Sequence, residues 1–199
     1  MHSKVFCIGF QKTGTTSLHI ALEQLGFRVA SVFGHDWSLE RLRRDVVTRG
    51  LEIAQEVDAV EDMPWPMIYQ ELDREFPGSK FILTERDPDK WIASLKGHFG
   101  SEPQVLQQFT YGEDAGSPEG NEERYLETYR NHNASVREYF DGREDDLLVM
   151  NLEHGDGWAE LGAFLGLPVP EGPFVKTNTA AQRNSLVGRV SRKLKRVFG

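Results

Sequence analysis

The chain has 199 residues, with 23 Lys+Arg against 31 Asp+Glu for a net charge of −8, one cysteine and 39% hydrophobic residues. Twelve Phe, five Tyr and four Trp supply the bulk of a buried core, which excludes a disordered chain, and the single Cys7 excludes an internal disulfide framework and a Cys-rich zinc site. The acidic balance disfavours nucleic acid, whose phosphates reward Lys and Arg, and no run approaches the ~20 apolar residues of a membrane span.

In chain order, Val5 to Ile8 is an apolar run of the kind that forms a strand buried on both faces. It is too short for the apolar stretch of a signal peptide, so a cytoplasmic, reducing setting is expected. Thr16 to Leu25 follows as a helix, with Leu18, Ala21, Leu22 and Leu25 on one side and Gly26 as its stop. A weaker strand is expected over Phe27 to Val32 and another near Ala59 and Val60. Phe81 to Thr84 repeats the buried-strand pattern, and Asp87-Pro88 opens a helix carrying Trp91, Ile92 and Leu95. The stretch from Tyr111 to Glu123 reads as a loop, and Glu122 to Phe140 as a long surface helix. Leu147 to Met150 is a third buried strand, followed by a helix with Trp158, Leu161, Phe164 and Leu165 in a stripe ended by Gly166. Strands alternating with helices predict an α/β fold with a parallel sheet covered on both faces.

Charge divides unevenly. Residues 183–199 hold six bases and no acid, which leaves 17 bases against 31 acids, a balance of −14, on residues 1–182. The tail reads as an amphipathic helix with Leu186, Val190, Leu194 and Val197 on one face. Docking of that face on the domain is favoured over weak contact with an anionic membrane surface. We therefore expect one domain over residues 1–182, with 183–199 as an added basic helix of the same unit.

Gly9-Phe10-Gln11-Lys12-Thr13-Gly14-Thr15-Thr16-Ser17 joins the first strand to the first helix. Two glycines five residues apart let the backbone fold into a nest of N–H groups, and the helix N-terminus adds partial positive charge, so a phosphate is expected there. The nucleotide-triphosphate loop pattern G-x-x-x-x-G-K-[ST] fits at Gly9, Gly14 and Thr16, but Thr15 stands at its lysine position and the cation lies inside the loop, at Lys12. No strand ends in an evident Mg²⁺-binding Asp of the second motif of such enzymes.

With Lys two residues before the second Gly and a Thr pair after it, the loop resembles that of the sulfotransferases that use 3′-phosphoadenosine 5′-phosphosulfate (PAPS). Thr84-Glu85-Arg86-Asp87-Pro88, with Ser94 eight residues after Arg86, resembles that family's 3′-phosphate motif. The resemblance spans most of the chain outside residues 100–145. It implies a sulfotransferase fold, a central parallel sheet between helical layers, and transfer of a sulfuryl group to a hydroxyl or amine, leaving 3′,5′-adenosine bisphosphate (PAP) with no metal required. Gln11, Lys12, Thr13, Gly14, Thr15, Thr16 and Ser17 would hold the 5′-phosphosulfate; Arg86 and Ser94, with Lys176 in a looser match, would hold the 3′-phosphate. Lys12 would also stabilise the leaving group.

For the base, the family's cytosolic branch has a His where Asp62 stands in Glu61-Asp62-Met63-Pro64. An ordinary Asp, with a pKa near ~3.9, is a weak base at neutral pH, so burial beside Met63, Trp65 and Pro66 must raise it. The competing reading makes Asp62 a helix cap. His35, in the loop after the second strand, is the rival base. The other histidines, His19 among them, carry no assignment. The acceptor is expected to be a small molecule or glycan, with Tyr111, Tyr125 and Tyr129 available to an aromatic or cationic one. A small-molecule or nucleotide kinase with an altered loop and a non-catalytic nucleotide-binding module are the alternatives.

Overall fold

A computed structural model describes residues 3–175; Lys176 and the basic segment 183–199 lie outside the described residues. Five strands among the described residues, β1 (Val5–Cys7), β2 (Val29–Ala30), β3 (Ala59–Val60), β4 (Lys80–Thr84) and β5 (Leu147–Met150), form one parallel sheet in the order β2-β3-β1-β4-β5. Among the described residues seven α-helices connect or follow them: α1 (Thr15–Gln24), α2 (Leu39–Glu56), α3 (Tyr69–Glu75), α4 (Pro88–Phe99), α5 (Val105–Tyr111), α6 (Glu122–Tyr139) and α7 (Trp158–Leu165). The expected α/β class is observed.

Alternation along the central strands builds two cores, because successive side chains of a strand face opposite sides. Phe6, Ile8, Val60, Phe81 and Leu83 pack on one side with residues of α2, α3 and α6. Val5, Cys7, Ala59 and Ile82 pack on the other with α1 and α7. Both patterns read as continuous apolar runs because both faces are covered. Cys7 is free and buried, and burial pushes its thiol pKa well up.

Helix α2 has no counterpart in the expected elements. Ser38 caps it, Oγ accepting from the Arg41 N–H at 3.2 Å, and its buried residues Leu42, Val46, Gly50 and Ala54 recur every four positions. Helix α6 corrects an expectation. Tyr125, Tyr129 and Val136 are 0–1% exposed, so its inner stripe is core and only its outer face meets solvent. Tyr111 stacks on Tyr125 with ring centroids 3.6 Å apart and Trp91 on Tyr129 at 4.2 Å. The three tyrosines expected to face an acceptor are instead buried packing beneath the loop that follows β1. Among the described residues no helix is long and apolar enough to cross a membrane.

Candidate active site

Strand β1 lies at the centre of the sheet, with β3 on one side and β4 on the other. The chain reverses its winding there, the place where open parallel sheets bind ligands beyond the strands' C-terminal ends. The loop from Gly9 to Gly14 leaves β1 at that point. Gly9 is required by proximity: a Cβ there would collide with the side chain and backbone of Thr84 at the end of β4. Gly14 stands at φ 112° just before α1, and a Cβ on it would lie 2.5 Å from Leu152 Cδ1. The Ser17 N–H of α1 donates back to the Gly14 carbonyl at 2.9 Å, while the Thr15 and Thr16 N–H groups ahead of it, in the opening turn of the helix, face an incoming anion.

The loop is held from several sides. Thr13 Oγ1 donates to the Phe10 carbonyl and meets Thr84 Oγ1, both at 2.6 Å. Trp91 Nε1 donates to the Gln11 carbonyl at 2.9 Å, and Gln11 Nε2 donates to Gln107 Oε1 and Tyr111 Oη. The Gln11 side chain is therefore an internal brace, 4% exposed, with its Oε1 lacking a partner. His132 Nε2 lies 2.7 Å from the Ile8 carbonyl, which can only accept, so that nitrogen carries a proton. Its ring stacks on Phe10, and burial lowers its pKa to about 4.

Lys12 sits at φ 70°, and among the described residues the only other non-glycine at positive φ is Asp62, also at 70°. A left-handed residue with a side chain costs roughly 1–2 kcal/mol, and such strain concentrates where function fixes geometry. Asp62 follows β3, the neighbour of β1. Its Oδ2 accepts from Thr15 Oγ1 at 3.2 Å and its Oδ1 from the Met63 N–H at 2.8 Å. The cap of the short 3₁₀ helix Trp65–Ile68 is Pro64, with no side-chain bond, so the Asp62 carboxylate does not cap that helix. Its pKa is pushed up to about 7, first by burial and then by the charge of Glu61, against the Met63 N–H, the Thr15 hydroxyl and Lys12.

Arg86 lies just beyond β4. Its N–H donates to Tyr129 Oη at 2.8 Å, which in turn donates to the Arg86 carbonyl at 3.0 Å. Its Nη1 donates to the Lys12 carbonyl at 3.3 Å, its Nη2 pairs with Glu153 Oε1 at 2.7 Å, and its Nε is buried without a partner. An open cleft of about 330 Å³ adjoins it, lined also by Arg130, Asn133, Asn151 and His154. Ser94 lies half-buried in the second turn of α4. Thr16 is half-buried and Ser17 buried in the first turn of α1. His35 stands exposed in the turn between β2 and α2, with β3 between its strand and β1.

One buried pair escaped the sequence reading. His19 Nδ1 lies 3.0 Å from Glu61 Oε1, with the two residues 6% and 2% exposed. His19 follows Thr15 by four positions, so both lie on one face of α1. Among the described residues no group of three or more His, Cys, Asp or Glu is gathered as a metal-ion site.

A family model for the sulfotransferase domain matches residues 4–112 and 104–183. The chain belongs to the sulfotransferase family. It is also similar to Ava biosynthesis cluster protein M of Aspergillus versicolor, 25% identical over 210 residues that cover 86% of this chain and 79% of that protein. The two segments of the sulfotransferase match together take in the phosphate loop, Asp62, Arg86 and Ser94.

Proposed function

We propose that this sulfotransferase draws its sulfuryl group from PAPS and transfers it to a hydroxyl or amine of a small-molecule or glycan acceptor. The observation that carries the reading is the meeting of three groups on one loop: Arg86 bonded to the Lys12 carbonyl, Lys12 held at positive φ, and Asp62 bonded to Thr15. Residues of this chain fit the donor on structural grounds. A nest of N–H groups and Lys12 suit the 5′-phosphosulfate, while Arg86, with its buried Nε lacking an acceptor, suits a doubly charged phosphate. The cleft beside Arg86 offers room for the remainder of the nucleotide.

PAPS supplies a sulfuryl group on a phosphate leaving group. Lys12 and the α1 N-terminus neutralise the charge that grows on the leaving oxygen, so the protein acts by positioning and by electrostatic stabilisation. Because a sulfuryl group carries less charge than a phosphoryl, Lys12 suffices for this without a metal ion. Thr15, Thr16 and Ser17 line the first turn of α1 against the anion. Asp62, with a pKa near 7, takes the acceptor proton at the pH where a base is most effective. His35, exposed and two strands away, is left out of the chemistry.

The test is release of PAP from PAPS on addition of phenolic, alcoholic and amine acceptors, in the presence of a metal chelator. Acceptor-dependent release that is lost in Lys12→Ala supports the proposal; full transfer by Lys12→Ala overturns it.

A further inference from the structure

We propose that the buried Glu61–His19 pair is a positioning device for Asp62: Glu61 places a second carboxylate next to Asp62 along the chain, and His19 anchors it to the helix whose Thr15 holds Asp62. The inference rests on the base role assigned above and deepens it. Two consecutive residues after β3 reach two residues one turn apart on α1, Asp62 to Thr15 at 3.2 Å and Glu61 to His19 at 3.0 Å. These two bonds fix the loop after β3 against the phosphate-loop helix. A slide or rotation that freed one pair would strain the other.

A structural ion pair alone accounts poorly for this arrangement. The pair is buried, yet Glu61 Oε2 and His19 Nε2 have no hydrogen-bond partner. Desolvation of a carboxylate and an imidazole is costly, and two apolar residues of similar size would fill the space more cheaply. What the pair contributes is charge at a fixed place beside Asp62. A carboxylate there disfavours a second one, so Asp62 holds its proton more tightly and accepts one more readily. His19 Nδ1, 3.0 Å from Glu61 Oε1, fixes where that carboxylate stands. The His19 pKa is raised overall: burial lowers it, but the bond to Glu61 and the charges of Glu61, Glu23 and Asp62 outweigh that.

The charged and titratable groups around the pair come from β1, α1 and α5 and from the two loops that follow β1 and β3. Asp62 is faced by Glu61 on its own loop, Lys12 of the phosphate loop, His19 of α1 and Tyr111 of α5. Glu61 is faced by His19 and by Cys7 of β1. His19 is faced in addition by Glu23, 3.9 Å away on its own helix. Lys12 is the one permanent cation in this set and lowers the Asp62 pKa, so Glu61 is the charge that offsets it.

The test is a carboxyl ¹³C titration of Asp62, assigned with Asp62→Asn, in the unaltered protein and in Glu61→Gln. Gln keeps the shape and a bond to His19 but removes the charge. The expected result is a proton affinity of Asp62 about tenfold or more weaker, with the acid limb of kcat/KM moving to lower pH by the same amount. An Asp62 titration unmoved in Glu61→Gln overturns the inference, even where overall activity falls. Should Glu61→Gln not fold, ¹⁵N titration of His19 in the unaltered protein decides: a midpoint above the ordinary ~6.5, with the Asp62 signal responding in step, supports it, and a lower midpoint or no response overturns it. Failure of the base role reads out separately, as full transfer activity in Asp62→Asn.

Discussion

Thr15 donates its hydroxyl to Asp62 Oδ2 at 3.2 Å, so the first turn of the phosphate-loop helix and the strained residue after β3 share one hydrogen bond. That bond brings the residue proposed as base to the side of the residues proposed to hold the donor. Asp62→Asn is expected to lower kcat by roughly 10²–10⁴-fold, the usual worth of a positioned general base, with PAP affinity nearly unchanged. In the unaltered protein the rate should rise through pH 7 as Asp62 loses its proton.

The same shift makes a stability prediction. Asp62 titrates near 4 when unfolded and near 7 when folded, so its contribution is full below pH ~4 and lost as pH rises to about 7. Thermal melts should show Asp62→Asn gaining on the unaltered protein through that window.

His132 acts in the opposite sense. Its folded pKa of about 4 lies below the ordinary ~6.5, so stability is present above pH 6.5 and falls as the unfolded chain takes up a proton that the folded one refuses. The loss between pH 6.5 and 4 is of the order of 3 kcal/mol. Melting curves of His132→Gln should be flatter over that range.

Glu153 competes for the proposed 3′-phosphate site. It pairs with Arg86 at 2.7 Å and with Lys90 at 3.3 Å from the turn after β5. A phosphate at Arg86 must share it with that carboxylate. Calorimetry should find PAP bound several-fold more tightly by Glu153→Gln and at least about 100-fold more weakly by Arg86→Ala, in line with the strength of charge-assisted bonds.

Gly9 has no room for a side chain. Its Cβ would strike the backbone of Thr84 as well as its side chain, and that backbone belongs to an interior strand of the sheet. Gly9→Ala should cost about 3 kcal/mol or more, a fall in Tm of roughly 10 °C for a chain of this size.

Much of this was legible in the sequence. Strands β1, β4 and β5 are short unbroken apolar runs, the mark of strands covered on both faces, and Gly9 and Gly14 announce the anion loop between them. A base role for Asp62 required burial beside Met63, Trp65 and Pro66 to raise its pKa, and the structure raises that pKa mainly by burial. Helix α2 stayed hidden because its buried stripe, Leu42, Val46, Gly50 and Ala54, is small and set among arginines and glutamates. The inner face of α6 was misread for a related reason: Tyr125 and Tyr129 are amphipathic, and the charges between them belong to the other face. The Glu61–His19 pair joins residues 42 positions apart. Nothing local marks such a contact, which exists because β3 lies beside β1 and carries Glu61 to α1.

The proposed donor is tested most directly by calorimetric titration with PAP and, separately, with ATP, each with Mg²⁺ and with a chelator. The account predicts tight binding of PAP that is indifferent to the metal and lost in Arg86→Ala. Binding of ATP that needs Mg²⁺, with no binding of PAP, would contradict it.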